Sequence, residues 1–197
     1  MLKIHNTYSN TIEEFKPNSE NVKIYLCGPT VQSSPHIGHG RSAVVFDFLI
    51  RYLFFLNYEV NFVRNITDIE DKIIERAEEE GITTIELADR VTKEFQDAYS
   101  GLNCLPPDNE PKATETIDHI INFIEDLIEK GYAYITQSGV YFEVGKFDDY
   151  LKLSGRNKDE VISGTRVDLE SDKKNTEDFA LWKISKENEP AWNSPWG

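Results

Sequence analysis

A mixed α/β fold built on parallel strands is predicted by three features of this chain. Val22–Leu26 and Glu59–Arg64 are short runs rich in β-branched and aromatic residues, and the helical stretch Ile37–Leu56 lies between them. A strand, a long helix and a second strand form a crossover unit, whose strands are parallel and whose connection is right-handed. Beyond Pro111 the pattern changes to one strong amphipathic helix and a hairpin, which predicts a separate α+β segment.

Taken in order, residues 1–22 read as a loosely structured lead-in ending in the turn Pro17-Asn-Ser-Glu-Asn21. Val22–Leu26 has the composition of a buried parallel strand. The loop Cys27–Pro35 follows, then a helix from Ile37 to Leu56. Its apolar residues Val44, Val45, Phe48, Leu49, Tyr52, Leu53 and Leu56 recur at three and four residue intervals and predict a core-facing stripe. The strand Glu59–Arg64 leads into Asn65-Ile-Thr-Asp68, where Thr67 or Asp68 can cap a helix running to Glu80. Gly81 ends that helix, and Thr83 or Thr84 starts another to Leu102. Leu105-Pro-Pro-Asp-Asn-Glu-Pro111 is a rigid break at which the chain is expected to leave the core layer. Lys112–Lys130 carries Ile117, Ile120, Ile121, Ile124, Leu127 and Ile128 on one stripe, closed by Gly131. Tyr132–Thr136 and Val140–Val144 flank a Gln-Ser-Gly hairpin signal. Residues 146–178 are polar loop with short elements, Phe179–Lys183 is a return strand, and Glu189–Gly197 an exposed Pro/Trp tail.

Composition narrows the classes. The 35 acidic residues outnumber 21 basic ones, for a net charge of −14, so general attraction to nucleic acid is absent and any such contact needs a local patch. Two cysteines are too few for a disulfide scaffold, no apolar run is long enough to span a bilayer, and the N-terminus lacks a signal-peptide core. A cytoplasmic protein with no membrane partner is expected.

Chemistry concentrates where the first strand meets the first helix. His36 and His39 share a face of the first helical turn, where imidazoles and the helix dipole can meet phosphate oxygens. Paired surface histidines capping a helix are the competing reading, weakened by their place just past a strand and Pro35. Gly38 and Gly40 leave room for a ligand near the backbone, and Arg41 adds a fixed cation. Cys27, at the strand end, is either a small buried hydrophobe or a thiolate able to bind zinc. Thr67, Asp68 and Asp71 line the second loop, where substrate binding competes with helix capping. Cys104 reads as structural, and Trp182, Trp192 and Trp196 as packing.

Five blocks in order then carry a resemblance. Cys27-Gly-Pro-Thr30, Pro35-His-Ile-Gly-His-Gly-Arg41, Phe62–Lys72, Asn109-Glu-Pro-Lys-Ala-Thr114 and Ser194-Pro-Trp-Gly197 together resemble cysteinyl-tRNA synthetase, a class I aminoacyl-tRNA synthetase. The resemblance implies a Rossmann-type catalytic domain, its first half in 1–111. An α+β connective insertion would occupy 112–178, and 179–197 would return toward the catalytic domain. It implies activation of cysteine by ATP, with magnesium, to cysteinyl-adenylate and transfer to tRNA(Cys), by a protein monomeric when complete. His36 and His39 take the catalytic role, and Pro35, Gly38, Gly40 and Arg41 join them at ATP. Gly28, Thr30, Thr67 and Asp68 match substrate positions. Cys27 matches the first of four ligands of a zinc that selects the substrate's thiolate over a hydroxyl.

The family continues past Ser-Pro-Trp-Gly into further zinc ligands, a Lys-Met-Ser-Lys-Ser loop and anticodon-binding helices, so these residues are expected to be an N-terminal portion, inactive alone. Two alternatives remain at this point. One is a short synthetase-like protein that binds nucleotide or a partner without catalysis; the other is the related ligase joining cysteine to an amino sugar.

Overall fold

The structure is a computed structural model that describes residues 2–17, 19, 21–156, 172–187 and 189–197. In chain order its elements are β1 (Lys3–Asn6), β2 (Thr11–Glu14), β3 (Asn21–Leu26), α1 (Ile37–Phe55), β4 (Glu59–Arg64), α2 (Asp71–Glu80), α3 (Thr84–Gly101), α4 (Ile117–Glu129), β5 (Ala133–Ile135), β6 (Gly139–Phe142) and β7 (Phe179–Lys183). They fall into two compact units, Lys16–Ile117 and Met1–Phe15 with Asp118–Gly197.

In the first unit β3 and β4 pair in parallel, from Asn21 opposite Glu59 to Leu26 opposite Arg64, with α1 as the crossover. The predicted unit is there, but β3 is not buried on both faces. Val22 is buried while Asn21, Lys23 and Tyr25 are exposed, the alternation of a strand with one covered face. The helix stripe also differs from expectation. Ala43, Ile50 and Leu53 are its buried residues, whereas Val44, Val45 and Phe48 are exposed, Phe48 by 72%. Helix α1 is apolar on nearly every side, so its spacing could not single out the covered face.

Leu105–Pro111 does not lead away from the sheet. Beyond the two prolines the chain turns back along β4: Arg64 N–H donates to Asn109 O (3.1 Å) and Ile66 N–H to Pro111 O (2.9 Å). The Asp108 carboxylate accepts the Phe62 N–H at 2.7 Å, and parallel bridges join Val63 to Asn109 and Ile66 to Lys112. Residues 108–112 thus satisfy the second edge of β4, which open backbone groups would otherwise leave unpaired. The first compact unit extends to Ile117.

Two further helices complete this unit. The cap of α2 is Glu70, whose carboxylate accepts Lys72 N–H, and not Thr67 or Asp68. Helix α3 starts as predicted, with Thr83 and Glu86 in a capping box. Ile73 and Ala77 of α2 and Leu87, Val91 and Phe95 of α3 make one core with Val31, Ala43 and Ile66.

In the second unit the N-terminal lead-in is a hairpin, β1 against β2, turned through Asn10 in the left-handed region at φ 55°. Asparagine tolerates that region because its short amide bonds locally. The stripe of α4 is partly as predicted, with Ile120, Ile124, Leu127 and Ile128 in one cluster. Strand β6 pairs antiparallel with both β5 and β7, so Phe179–Lys183 is the third strand of this small sheet. Asp178, 1% exposed, is fully used by Tyr134 OH, Asn175 and the Val144 N–H. The tail is not free: Trp196 packs against Trp182 with ring centroids 6.1 Å apart. Of the polar stretch 146–178, residues 157–171 lie outside the described residues.

One close approach fixes the first unit. A Cβ on Gly28 would stand 1.5 Å from the carbonyl oxygen of Asn65. Gly28→Ala therefore forces the two strand-end loops apart, and chemical denaturation should register a loss of about 2–3 kcal/mol.

Candidate nucleotide cleft

The loops that follow β3 and β4 are knitted together. The Asn65 side-chain oxygen accepts Gly28 N–H (2.8 Å) and Tyr25 OH (2.9 Å), while its amide donates to Thr67 Oγ1 (3.1 Å). Thr67 N–H donates to Pro29 O and Val31 N–H to Thr67 O, a parallel bridge between Thr30 and Thr67. These bonds extend the sheet past its strands and open a cleft of about 290 Å³ at its carboxyl end. Ligands of open α/β sheets bind at that end.

Cys27, Gly28 and Thr30 from the first loop and His36 and His39 from the helix mouth line this cleft, as does Arg64. The sequence-derived set is thus partly gathered. Thr67 joins through its backbone pairing with Thr30. Asp68 is buried and turned elsewhere, accepting the N–H and hydroxyl of Thr114 at 3.0 and 2.5 Å. The glycines of the helix mouth are committed to packing: a Cβ on Gly38 would meet the His36 ring at 2.9 Å, and one on Gly40 the Leu102 side chain at 3.1 Å. Arg41 is exposed, and Pro35 precedes the cap residue.

His36 is the N-cap of α1. Its Nδ1 accepts Gly38 N–H (3.1 Å), and Nδ1 of His39 accepts the His36 backbone N–H (3.2 Å). An imidazole nitrogen that accepts an N–H carries no proton, so each neutral ring holds its proton on Nε2. The rings stack with centroids 3.9 Å apart and planes 29° apart. Burial pushes the proton affinity of His39 down, and the neighbouring His36 adds to the effect. The pair is therefore a set of neutral Nε2–H donors at the positive end of a helix of 19 residues.

The floor of the cleft is Arg64, which composition did not bring forward. It is 5% exposed, its Nη2 lies 2.7 Å from Glu110 Oε1, and its guanidinium sits 4.4 Å from the Tyr99 ring centroid. Gln96 donates to the other Glu110 oxygen at 2.8 Å. A charged residue ending an apolar strand, with a glutamate in the Pro-flanked block, was the available sign. Asn65, Phe95 and Tyr99 had no such sign, since the partners that tie them to the cleft, Gly28, His39 and Arg64, are distant in sequence.

Cys27 is exposed, and its sulfur lies 3.9 Å from the Gly28 carbonyl oxygen. Among the described residues no group of three or more His, Cys, Asp or Glu side chains could hold a metal ion. One thiolate does not make a tetrahedral site, so the residues present do not fit a zinc ion. Among the described residues, too, no helix is long and apolar enough to cross a membrane.

A parallel β-α-β unit with a cleft at the carboxyl end of its strands is an α/β arrangement of the Rossmann type. Residues 14–197 match the family model of the tRNA synthetases class I (C) catalytic domain. The chain belongs to that family. It is 52% identical over its whole length to a cysteine–tRNA ligase of Methanococcus maripaludis strain C7, of which it covers 42%. It is 51% identical to those of Vibrio atlanticus and Thermodesulfovibrio yellowstonii, again over all of this chain and 43% and 41% of theirs. The chain thus spans about two fifths of the length of these curated relatives. Among solved structures, Mycobacterium tuberculosis methionyl-tRNA synthetase in complex with methionyl-adenylate matches 64% of this chain and 25% of its own, with a TM-score of 0.56 at 21% identity. That likeness shows a shared Rossmann-like fold.

Two outcomes follow from this geometry. Arg64→Met strands a partly buried Glu110 and should cost about 3 kcal/mol, whereas adding Glu110→Met should recover most of the loss in a double-mutant cycle. The depressed His39 favours the folded state above the ordinary imidazole range, about pH 6.5. That contribution is lost as pH falls through the folded value. Hydrogen exchange should report weakening protection of the first turn of α1 on acidification; unchanged protection would contradict the assigned bonds.

Proposed function

We propose that the Cys27–His39 cleft binds ATP and serves the activation of cysteine. The observation that carries this reading is the commitment of both Nδ1 atoms to backbone N–H groups, which leaves two Nε2–H donors beside the cleft. In the proposed step a carboxylate oxygen of cysteine attacks the α-phosphorus of ATP. The new O–P bond replaces the bond to the departing pyrophosphate, and cysteinyl-adenylate forms. Charge builds on the phosphate oxygens as this happens, and donors already oriented stabilise it without reorganising. His36 and His39 supply those donors, and the N-terminus of α1 adds its dipole. Transfer to tRNA(Cys) follows in the complete enzyme.

Cysteine and tRNA(Cys) come into this reading from the relatives' names, and a cytoplasmic complete enzyme, monomeric as the sequence resemblance implies, is part of the proposal. Pro35, Gly38, Gly40 and Arg41 belong to the ATP side as the frame of the helix mouth. Gly28, Thr30 and Thr67 belong to the cysteine side. Asp68 contributes by fixing Thr114 and the edge segment. Magnesium enters as part of the ATP complex. The described residues do not provide a zinc site, and no step is built on one. Residues 16–117 then form the nucleotide half of the catalytic domain, and the sheet β5–β7 a connective insertion.

Calorimetric titration of the chain with ATP tests the reading. His39→Ala should weaken binding roughly 10- to 100-fold, the loss of one hydrogen bond to a charged group. Equal affinity in the wild type and the variant would overturn it. Cysteine-dependent ATP–pyrophosphate exchange separates turnover from binding alone.

A further inference from the structure

We infer that Phe95 of α3 is a positioning residue for His39, setting the plane in which that ring presents its Nε2–H to the cleft. The inference rests on the reading of the cleft as a nucleotide site.

The His36 backbone N–H meets Nδ1 of His39 at 3.2 Å, the His36 ring stacks on the His39 ring at 3.9 Å, and the Phe95 ring meets it edge-on, centroids 4.9 Å apart and planes 73° apart. The first two belong to the same turn, and His36 is exposed. A single 3.2 Å bond to Nδ1 from the same turn is a modest restraint on the plane of the ring. Phe95 differs: it is 2% exposed, in a core with Leu87 and Val91, so it cannot follow a moving neighbour. An edge-to-face aromatic pair also favours one relative orientation.

The anchoring continues inward. Phe95 lies 5.8 Å from Tyr99, whose ring carries the Arg64 guanidinium at 4.4 Å, and Arg64 is paired with Glu110. Helix α3 thereby connects the histidine at the cleft mouth to the ion pair at its floor. One residue before Phe95, Glu94 accepts a hydrogen bond from Ser34 in the loop before His36, at 2.6 Å. Phe95 itself does not line the cleft, so it acts through His39. The titratable groups lining the cleft with His39 are His36, Cys27, Arg64 and Tyr99, of which Tyr99 touches Phe95 directly.

The test uses the whole chain labelled with ¹⁵N at its imidazoles. Phe95→Leu and Phe95→Met remove the ring and keep an apolar side chain. Val91→Ala, in the same core and helix, is the control for general loosening. In wild type and Val91→Ala, the His39 Nδ1 shift should be that of an unprotonated acceptor at neutral pH. In either Phe95 variant it should move to a mixture of tautomers, with His39 titrating closer to free imidazole and ATP bound about tenfold more weakly. A single wild-type tautomer and titration in both Phe95 variants would overturn the inference. So would an equal change in Val91→Ala. Absence of ATP binding by wild type would count against the nucleotide reading alone, because the imidazole spectra decide the positioning role without ligand.

Discussion

The backbone of Gly28 lies against the carbonyl of Asn65, closer than any side chain permits, and the cleft depends on that contact. It brings the loop after β3 onto the loop after β4, where the Asn65 amide bonds Tyr25, Gly28 and Thr67 together. The backbone bridge between Thr30 and Thr67 follows from the same approach. With both loops held, Cys27 and Thr30 form one wall and α1 begins at a fixed distance from the sheet. The glycine is thus required by packing between loops, and the ligand space is a consequence.

The histidine pair closes a helix end and presents donors at the same time. A capping box normally uses a hydroxyl and a carboxylate. Here two imidazoles fill both places, which closes the helix end and leaves the outward nitrogens protonated. A serine–glutamate box would cap α1 equally well but would present oxygens, not N–H donors, to an anion. The alternatives left open by the sequence, a capping pair or a phosphate pair, are therefore not exclusive. Capping is the means by which the donors are oriented.

What the sequence made legible follows from how local each cause is. Strands Asn21–Leu26 and Glu59–Arg64, the helix starting at Ile37, the stop at Gly81 and the Thr83 cap all depend on neighbours a few residues away. The β1–β2 hairpin was missed because its turn relies on Asn10 rather than on glycine or proline. The edge segment 108–112 was missed because prolines signal a break but cannot say where the chain goes next. The face of α1 was ambiguous because apolar residues surround it, and Val45 and Phe48 remain exposed. In the cleft, His36, His39, Cys27, Gly28 and Thr30 were visible through their motifs. Arg64, Tyr99 and Phe95 reach it through partners up to dozens of residues distant, which no spacing rule records.

The proposed nucleotide site lies at the mouth of α1, within the unit Lys16–Ile117. Amide shift mapping of the chain during titration with ATP measures this most directly. The largest changes are expected at Gly28, Thr30, His36, Gly38 and His39, with the β5–β7 sheet unmoved. Changes centred on that sheet, or none at the helix mouth when ATP is bound, would contradict it.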